Sequence, residues 1–165
     1  MMKIKTSILM ATVLIMVTAG SSSAQAAAQQ SRSAPPYSEA VPDENTLARL
    51  VWSTMVALDN ANRTETYSVL YNLGSPEFKR RNTPAQLSQN FAALRKNRVD
   101  VGRSILTSPN YYIPPQRLAD GSLRLRGGFD YRPKSIRFDL VYRNIGGGWR
   151  LSAISVVEMD FNAPK

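Results

Sequence analysis

Five arginines between residues 124 and 150 could together bind an anionic group. They occupy the polar positions of a stretch in which apolar and polar residues alternate. They are Arg124, Arg126, Arg137, Arg143 and Arg150. Arginine stays charged and presents a planar fork of donors that fits carboxylates and phosphates. This pattern favours a surface that binds an anionic partner, although a merely solvated sheet face would show the same pattern.

The composition argues against most side-chain catalysis. The 165 residues include no histidine and no cysteine, so neither a Ser-His-Asp triad nor a thiolate metal site can be built. The acids are scattered singly, without the Asp-x-Asp-x-Asp run that is typical of a calcium loop. We therefore expect no catalytic residue, no metal and no cofactor.

The first 26 residues carry the three regions of a secretory signal peptide. Lys3 and Lys5 precede an uncharged, mostly apolar run over 8–20, and Ala24-Gln25-Ala26 supplies small residues at cleavage spacing. The apolar run is shorter than the roughly 20 residues that span a bilayer. The sequence predicts cleavage after Ala26 and a secreted or periplasmic protein whose mature chain has no transmembrane segment.

The charge of the chain indicates the chemistry of its partners. The formal net charge is +9, and it becomes +7 when Lys3 and Lys5 leave with the signal peptide. A basic surface favours anionic partners. For an exported protein these would be an envelope polymer, a lipid surface or an acidic protein, and we expect no nucleic acid.

The mature chain is predicted to begin with a linker and to continue as one domain. Residues 27–42 are small, polar and proline-bearing, which predicts a disordered tether. The domain is predicted over 43–161, and its first helix starts at Asp43, a good N-cap. The apolar residues that recur at helical spacing are Leu47, Leu50, Val51, Met55 and Leu58.

Shorter helices are predicted to follow the long one. Thr64 can cap a second helix, and Gly74 suits its left-handed C-terminal cap. Ser75-Pro76 predicts a further helical turn that buries Phe78. Thr83-Pro84-Ala85-Gln86 has the pattern of a capping box and starts a third helix, with Leu87, Phe91 and Leu94 as its buried stripe.

After Val99 the hydrophobic period changes to two, which predicts strands. The first strand is predicted over Ile105–Ile113, ending at Pro114 and Pro115 at an edge or a bulge. The inward positions of the next two strands are Leu123, Leu125, Phe129, Ile136, Phe138, Leu140 and Tyr142. In the last strand Ala153 is predicted inward, with a register shift at Ser155. Helices followed by hairpin-linked strands predict an α+β domain, with the helices packed on one face of an antiparallel sheet of about four strands.

The closing hairpin, taken with the order of elements, supports a family resemblance. A strand over Phe138–Arg143 is followed by Gly146-Gly147-Gly148 and by the strand Trp149–Ile154. The region from Asp43 to Met159 resembles the nuclear-transport-factor-2-like superfamily, whose fold is a cystatin-like α+β cone. The members it resembles most are small secreted bacterial domains of unknown function. The resemblance implies a curved sheet that wraps the long helix and leaves a pocket at its open end.

The resemblance also implies which residues would line that pocket. Aromatic side chains suit an apolar ligand that has one or two polar contacts. The candidates are Trp52, Tyr67, Tyr71, Phe91, Tyr111, Phe129 and Tyr142. The alternative is that these rings simply fill the core, as aromatic residues at core spacing often do.

Two classes of function remain for a chain of this kind. The leading expectation is a non-catalytic accessory domain of the cell envelope that binds a ligand or a partner. The alternative is a small-molecule enzyme that resembles the isomerases or dehydratases of the superfamily. No catalytic position carries over, because Asp130 and Asp139 fall on the face opposite the core residues and the dehydratase histidine is absent. The family resemblance also implies that the outer sheet face could form a homodimer in which arginines pair with Asp139.

Overall fold

The main elements of the fold are a four-stranded antiparallel sheet and a long helix that packs against it. The computed structural model describes residues 40–161 and shows an α+β chain in which the helices precede the sheet. The helices are α1 (Glu44–Thr64), α2 (Ser68–Asn72), α3 (Pro76–Arg81), α4 (Pro84–Asn90) and α5 (Ala92–Lys96), followed by a 3₁₀ turn (Gly102–Leu106). The strands are β1 (Asn110–Arg117), β2 (Leu123–Phe129), β3 (Lys134–Ile145) and β4 (Gly148–Asp160), in spatial order β1-β2-β3-β4.

Helix α1 begins where the sequence predicts it. The carboxylate of Asp43 accepts the backbone N–H of Thr46 at 2.9 Å, and this bond lowers the pKa of Asp43. Val51, Met55 and Leu58 are fully buried, so the apolar face of the helix lies against the core. The predicted role of Thr64 is wrong. It is the last residue of α1, and its hydroxyl donates to the carbonyl of Asn60 in the preceding turn.

The short helices are capped mostly as predicted. Ser75 caps α3 and Phe78 is buried, and Thr83 and Gln86 form both bonds of the capping box that starts α4. The predicted third helix is divided at Phe91, which has a non-helical backbone between α4 and α5. The buried ring of Phe91 stacks on Tyr67.

Gly74 does not form the predicted left-handed cap. Its backbone makes a parallel bridge to Leu151 of β4, and its φ is not in the left-handed region. A Cβ there would collide with the ring of Phe78 and approach the carbonyl of Tyr71. Glycine is required here because two elements approach closely, which local sequence does not reveal.

The inner face of the sheet is apolar across the three strands β2 to β4. Leu125 pairs with Leu140, which pairs with Ile154. The seven residues predicted inward on β2 and β3 are all buried, which confirms the alternating pattern. The β3–β4 hairpin turns through Gly146 and Gly147, whose φ angles of 59° and 80° suit a two-residue turn that continues the strand twist.

Two strand predictions are corrected. Of the region predicted as the first strand, Ile105 and Leu106 belong to the 3₁₀ turn and only residues 110–113 are strand, because β1 starts later and runs through Pro114 and Pro115. These prolines are tolerated because β1 is an edge strand whose register shifts beside them. In β4 the shift lies between Leu151 and Ala153 instead of at Ser155, so Ala153 is exposed. An extra residue moves every later side chain to the other face.

A buried hydroxyl pair ties α1 to the sheet. The hydroxyl of Tyr142 on β3 donates to the carbonyl of Leu50 at 3.0 Å. Its oxygen lies 2.8 Å from the hydroxyl of Thr54, which therefore acts as the donor of that bond. Burial raises the pKa of Tyr142 well above its ordinary value.

The part of the chain that precedes Ala40 is not described. The predicted signal peptide, the site after Ala26 and most of the predicted linker therefore lie outside the described residues. Within 40–161, no helix has both the length and the hydropathy that a bilayer span requires.

The first prediction concerns the buried hydroxyl pair. Tyr142→Phe should lower the free energy of unfolding by about 1–2 kcal/mol, because the Leu50 carbonyl and the Thr54 hydroxyl lose their partner inside the core. Urea unfolding followed by tryptophan fluorescence measures the change. Tyr71→Phe is the control, because Tyr71 is half-buried and its hydroxyl makes no hydrogen bond to another described residue. Equal losses in the two variants would contradict this role.

The second prediction concerns alkaline pH. Burial, and then the charge of Glu44, raise the pKa of Tyr111 to about 12, and burial also raises that of Tyr142. The unfolded chain releases these protons near its ordinary pKa of about 10 while the folded chain holds them, so stability should fall as pH rises from about 10 to 12. Urea midpoints across this range should fall less steeply for Tyr111→Phe. An unchanged slope would show that Tyr111 keeps no raised pKa.

Candidate anion-binding site on the outer face of the sheet

The sheet places the five predicted arginines on one face. Arg126 lies directly across from Asp139, Gly128 from Arg137, and Arg143 from Arg150. Residues directly opposite in a sheet share a face, as do residues two apart along a strand. The five arginines therefore lie on the face opposite the core, which we call the outer face.

Two of these arginines are neutralised within the chain. Arg124 binds Asp139 with two bonds, Nε–Oδ1 at 2.9 Å and Nη2–Oδ2 at 2.5 Å, and the bond raises the pKa of Arg124. Arg143 places Nη2 at 2.7 Å from Oδ2 of Asp120 and Nε at 3.6 Å from Oε2 of Glu77. The positive charges of Arg124 and Arg143 are therefore already paired with carboxylates and are less available to an anionic partner.

Arg126 is in a different situation. Asp139 lies directly opposite but is bound diagonally by Arg124. The guanidinium of Arg126 instead makes a long bond of 3.4 Å from Nη2 to the amide oxygen of Gln116. Among residues 40–161 it has no carboxylate within ion-pair distance. Because the amide of Gln116 is neutral, it does not compensate the positive charge of Arg126.

A small pocket lies beside Arg126. Its volume is about 260 Å³. It is lined by Tyr112, Ile113, Arg126, Gly127, Arg137, Phe138 and Asp139. The pocket thus combines two guanidinium groups with an apolar wall, and its single acid is the carboxylate already held by Arg124.

Gly128 lets the side chain of Tyr112 approach the sheet closely. A Cβ at Gly128 would collide with the hydroxyl of Tyr112 and with the carbonyl of Ile136. The Tyr112 hydroxyl donates to Asp130 at 2.7 Å, and burial followed by this bond raises its pKa to about 12. The guanidinium of Arg137 lies 5.1 Å from the centre of the ring. Tyr112 thus forms a fixed aromatic surface under Arg137.

Tyr112 and Asp130 were not predicted as site residues. Tyr112 falls in a strand that the alternating pattern misplaced, so its face could not be read from the sequence. The signal that could have found it is a pair of glycines inside a strand, since a glycine there marks the close approach of another group.

The seven aromatic residues of the predicted pocket lie in different parts of the core. Four are buried and three are half-buried. Tyr67 stacks on Phe91, Phe129 lies 5.8 Å from Phe138 between ring centres, and Tyr111 meets Phe138 edge-on. The remaining three are Trp52 and Tyr71, which pack at the margin of the core, and Tyr142, which is tied to α1.

These packing contacts neither support nor contradict ligand binding by the aromatic residues. The outer-face pocket contains none of the seven, and Phe91 alone of them lines the groove beside β4. Their role as ligand-binding residues stays a prediction. The hydroxyl of Tyr111 is buried without a hydrogen-bond partner among the described residues.

Among residues 40–161, Asp59 on α1 is a buried acid. Its Oδ1 accepts the backbone N–H of Gly102 at 3.0 Å, and its Oδ2 lies 3.6 Å from Arg63. These contacts fix the start of the 3₁₀ turn against α1. Within the described range, no three side chains of the metal-binding types come together.

Comparison with known proteins adds no relative. No family model, no curated protein and no solved structure matches the chain. The geometry of the outer face is therefore the observation from which a function can be inferred.

The third prediction tests the glycine beneath Tyr112. Gly128→Ala should destabilise the fold by about 1–3 kcal/mol, because the new methyl group overlaps a main-chain carbonyl and displaces the tyrosine ring. Thermal unfolding measures the change. Gly148→Ala is the matched control, because the nearest atom to its Cβ would be 3.7 Å away, an ordinary contact. If both variants lost the same stability, the close packing of Tyr112 on Gly128 would be refuted.

Proposed function

We propose that this chain is a non-catalytic binding domain of the cell envelope, and that its outer sheet face binds an anionic group of its partner at Arg126 and Arg137. The observation that carries the proposal is the pocket in which these two guanidinium groups meet an apolar wall. Arginine forks are well suited to carboxylates and phosphates.

The charge distribution supports this choice of residues. Asp139 could neutralise Arg126 across the strand pair, but Arg124 holds it with two bonds. Arg126 therefore keeps its charge for an external anion. Arg150 is exposed and lies directly opposite Arg143, so the same face adds further positive charge along β4.

The size of the pocket indicates what part of a partner it takes. Ligand pockets for whole small molecules hold about 300–1,000 Å³, and this one holds about 260 Å³. It fits one carboxylate or phosphate group with a short apolar stem against Ile113 and the ring of Tyr112. The rest of the partner would lie across the exposed sheet.

We propose further that the protein is exported and that its domain belongs to a known superfamily. The charged start, apolar run and Ala24-Gln25-Ala26 support a secretory signal peptide and a secreted or periplasmic location. The long helix followed by a hairpin-linked sheet, with Trp149 after a glycine turn, supports a cone-shaped domain of the nuclear-transport-factor-2-like kind. Under this proposal the domain is an accessory factor that binds and does not transform its partner.

The alternative is an isomerase or a dehydratase that uses the core pocket. Such an enzyme would need an acid with an available carboxylate inside the core. The buried carboxylate of Asp59 is occupied by Gly102 and Arg63, and Asp130 and Asp139 are bound on the outer face. These contacts favour the binding role.

The fourth prediction tests the outer face. The double variant Arg126→Glu, Arg137→Glu should weaken binding to an anionic probe about tenfold or more, because each change removes a charged donor and adds a repelling acid. Three probes separate the sources of the anion: phosphatidylglycerol vesicles, polygalacturonate as a carboxylated polymer, and polyglutamate as an acidic polypeptide. Binding is measured by sedimentation or fluorescence anisotropy.

The control for this experiment is Arg49→Glu, which reverses an exposed charge on α1, away from the outer face. It should leave binding nearly unchanged, and thermal unfolding should show that the double variant is folded. Equal losses in the control and the double variant would reduce the effect to net charge and refute the site. Absence of binding to all three probes would refute it too. Light scattering shows whether the double variant instead dissociates a homodimer.

A further inference from the structure

The two edges of the sheet differ in how they are protected. At one edge β1 contains Pro114 and Pro115 and has irregular register beside them. Prolines and bulges stop a foreign strand from pairing with an edge. At the other edge β4 has no proline, and its residues Ser152–Val157 have no charged side chain. An unguarded edge of this kind can pair with another strand.

The chain already uses the beginning of this edge for strand pairing. The N–H of Leu151 donates to the carbonyl of Leu73 at 3.0 Å, and the N–H of Ser75 donates to the carbonyl of Leu151 at 2.8 Å. The segment around Gly74 thus runs parallel to β4 for one bridge. It then turns into α3, and Arg81 donates to the carbonyl of Ser152 at 3.2 Å.

Beyond Ser152 the edge is open in the described structure. Among residues 40–161 no second main chain pairs with the outer side of β4 from Ala153 to Val157. Ala153, Ser155 and Val157 lie opposite Val141, Asp139 and Arg137, so their exposed side chains lie on the outer face beside this edge. The backbone donors and acceptors on this side therefore have the geometry of a sheet but no strand to bind.

A groove of about 570 Å³ runs beside this open edge. One side is β4 itself, and the other is formed by the buried rings of Phe78 and Phe91 with Leu87. The polar groups of the groove are Arg81, Asn82 and Asn90, together with serines of β4, and no acid is among the described residues that line it. The groove is thus apolar at its base and positively charged at one end, where Arg81 lies 3.9 Å from the carboxylate of Glu77 and shares it with Arg143.

We propose that this groove binds an extended, acidic peptide segment of a partner protein, which adds to β4 as a fifth strand from Ala153 to Val157. Five residues of strand span about 16 Å. Main-chain bonds to β4 would supply affinity, and alternate side chains would enter the apolar base. An acidic side chain of the guest would meet Arg81. The groove and the outer-face pocket share no lining residue, although Val157 of the groove lies directly opposite Arg137 of the pocket.

The experiment uses the full chain and a defined probe. The probe is the peptide Thr-Val-Asp-Val-Thr-Val-amide with fluorescein attached to its N-terminal amine, and anisotropy measures its binding. We expect saturable binding, with shifts of the backbone amide signals of Ala153–Val157 in the NMR spectrum. A peptide with N-methyl groups on two consecutive residues should bind about tenfold or more weakly, because both its edges lose a donor. Replacing its Asp by Lys should weaken binding about threefold or more.

Variants of the protein locate the peptide. Val157→Lys places a guard charge on the open edge and should reduce binding about tenfold. Val69→Lys is the matched control, because Val69 is a 63 % exposed valine on α2 outside the groove. Arg81→Gln should abolish the preference for Asp over Lys in the peptide.

Four outcomes would overturn the proposal. One is absence of binding up to about 1 mM peptide. Another is equal binding of the N-methylated peptide, which would exclude strand addition. A third is equal loss in the Val69 and Val157 variants. The fourth is a dimer in light scattering that Val157→Lys dissociates, since the occupant of the edge would then be a second copy of β4.

Discussion

The burial of one sheet face by α1 is the constraint on which the rest of the molecule depends. Val51, Met55 and Leu58 are removed from water in the same core cluster as Leu125 and Leu140 of the sheet, and this burial supplies the main driving force for folding. The Tyr142 hydroxyl joins β3 to α1 by satisfying the Leu50 carbonyl. Because the inner face is committed to the core, every second residue of the strands must face outward.

That commitment produces the arginine-rich outer face, and the pairing between strands decides how its charges act. Arg124 and Arg126 are equivalent in the sequence, two residues apart on one strand. Asp139 can accept a bidentate bond from only one of them, and it takes Arg124. This choice leaves Arg126 beside a small pocket with an apolar wall. An ion pair inside the protein thus selects the arginine that remains available to a partner.

The sheet also has two edges, which differ in how they are protected from pairing with another strand. An antiparallel sheet that does not close into a barrel leaves two edges with unpaired backbone groups. The prolines of β1 guard one edge, whereas the other is paired only at Leu151 and then faces a groove. The outer face and the open edge adjoin along β4 but offer different chemistry, with charge dominating the first and backbone pairing the second.

Features that depend on neighbours along the chain could be predicted from the amino-acid sequence alone. The cap at Asp43, the capping box at Thr83 and the alternation in β2 and β3 are local, so they were predicted correctly. Tertiary structure decided what depends on distant groups. Gly74 is required by Phe78 and by its bridge to β4, and the bulge before Ala153 changes which side chains reach the core. The pairing of Asp139 was decided in the same way, because cross-strand register brings together residues whose separation no local pattern records.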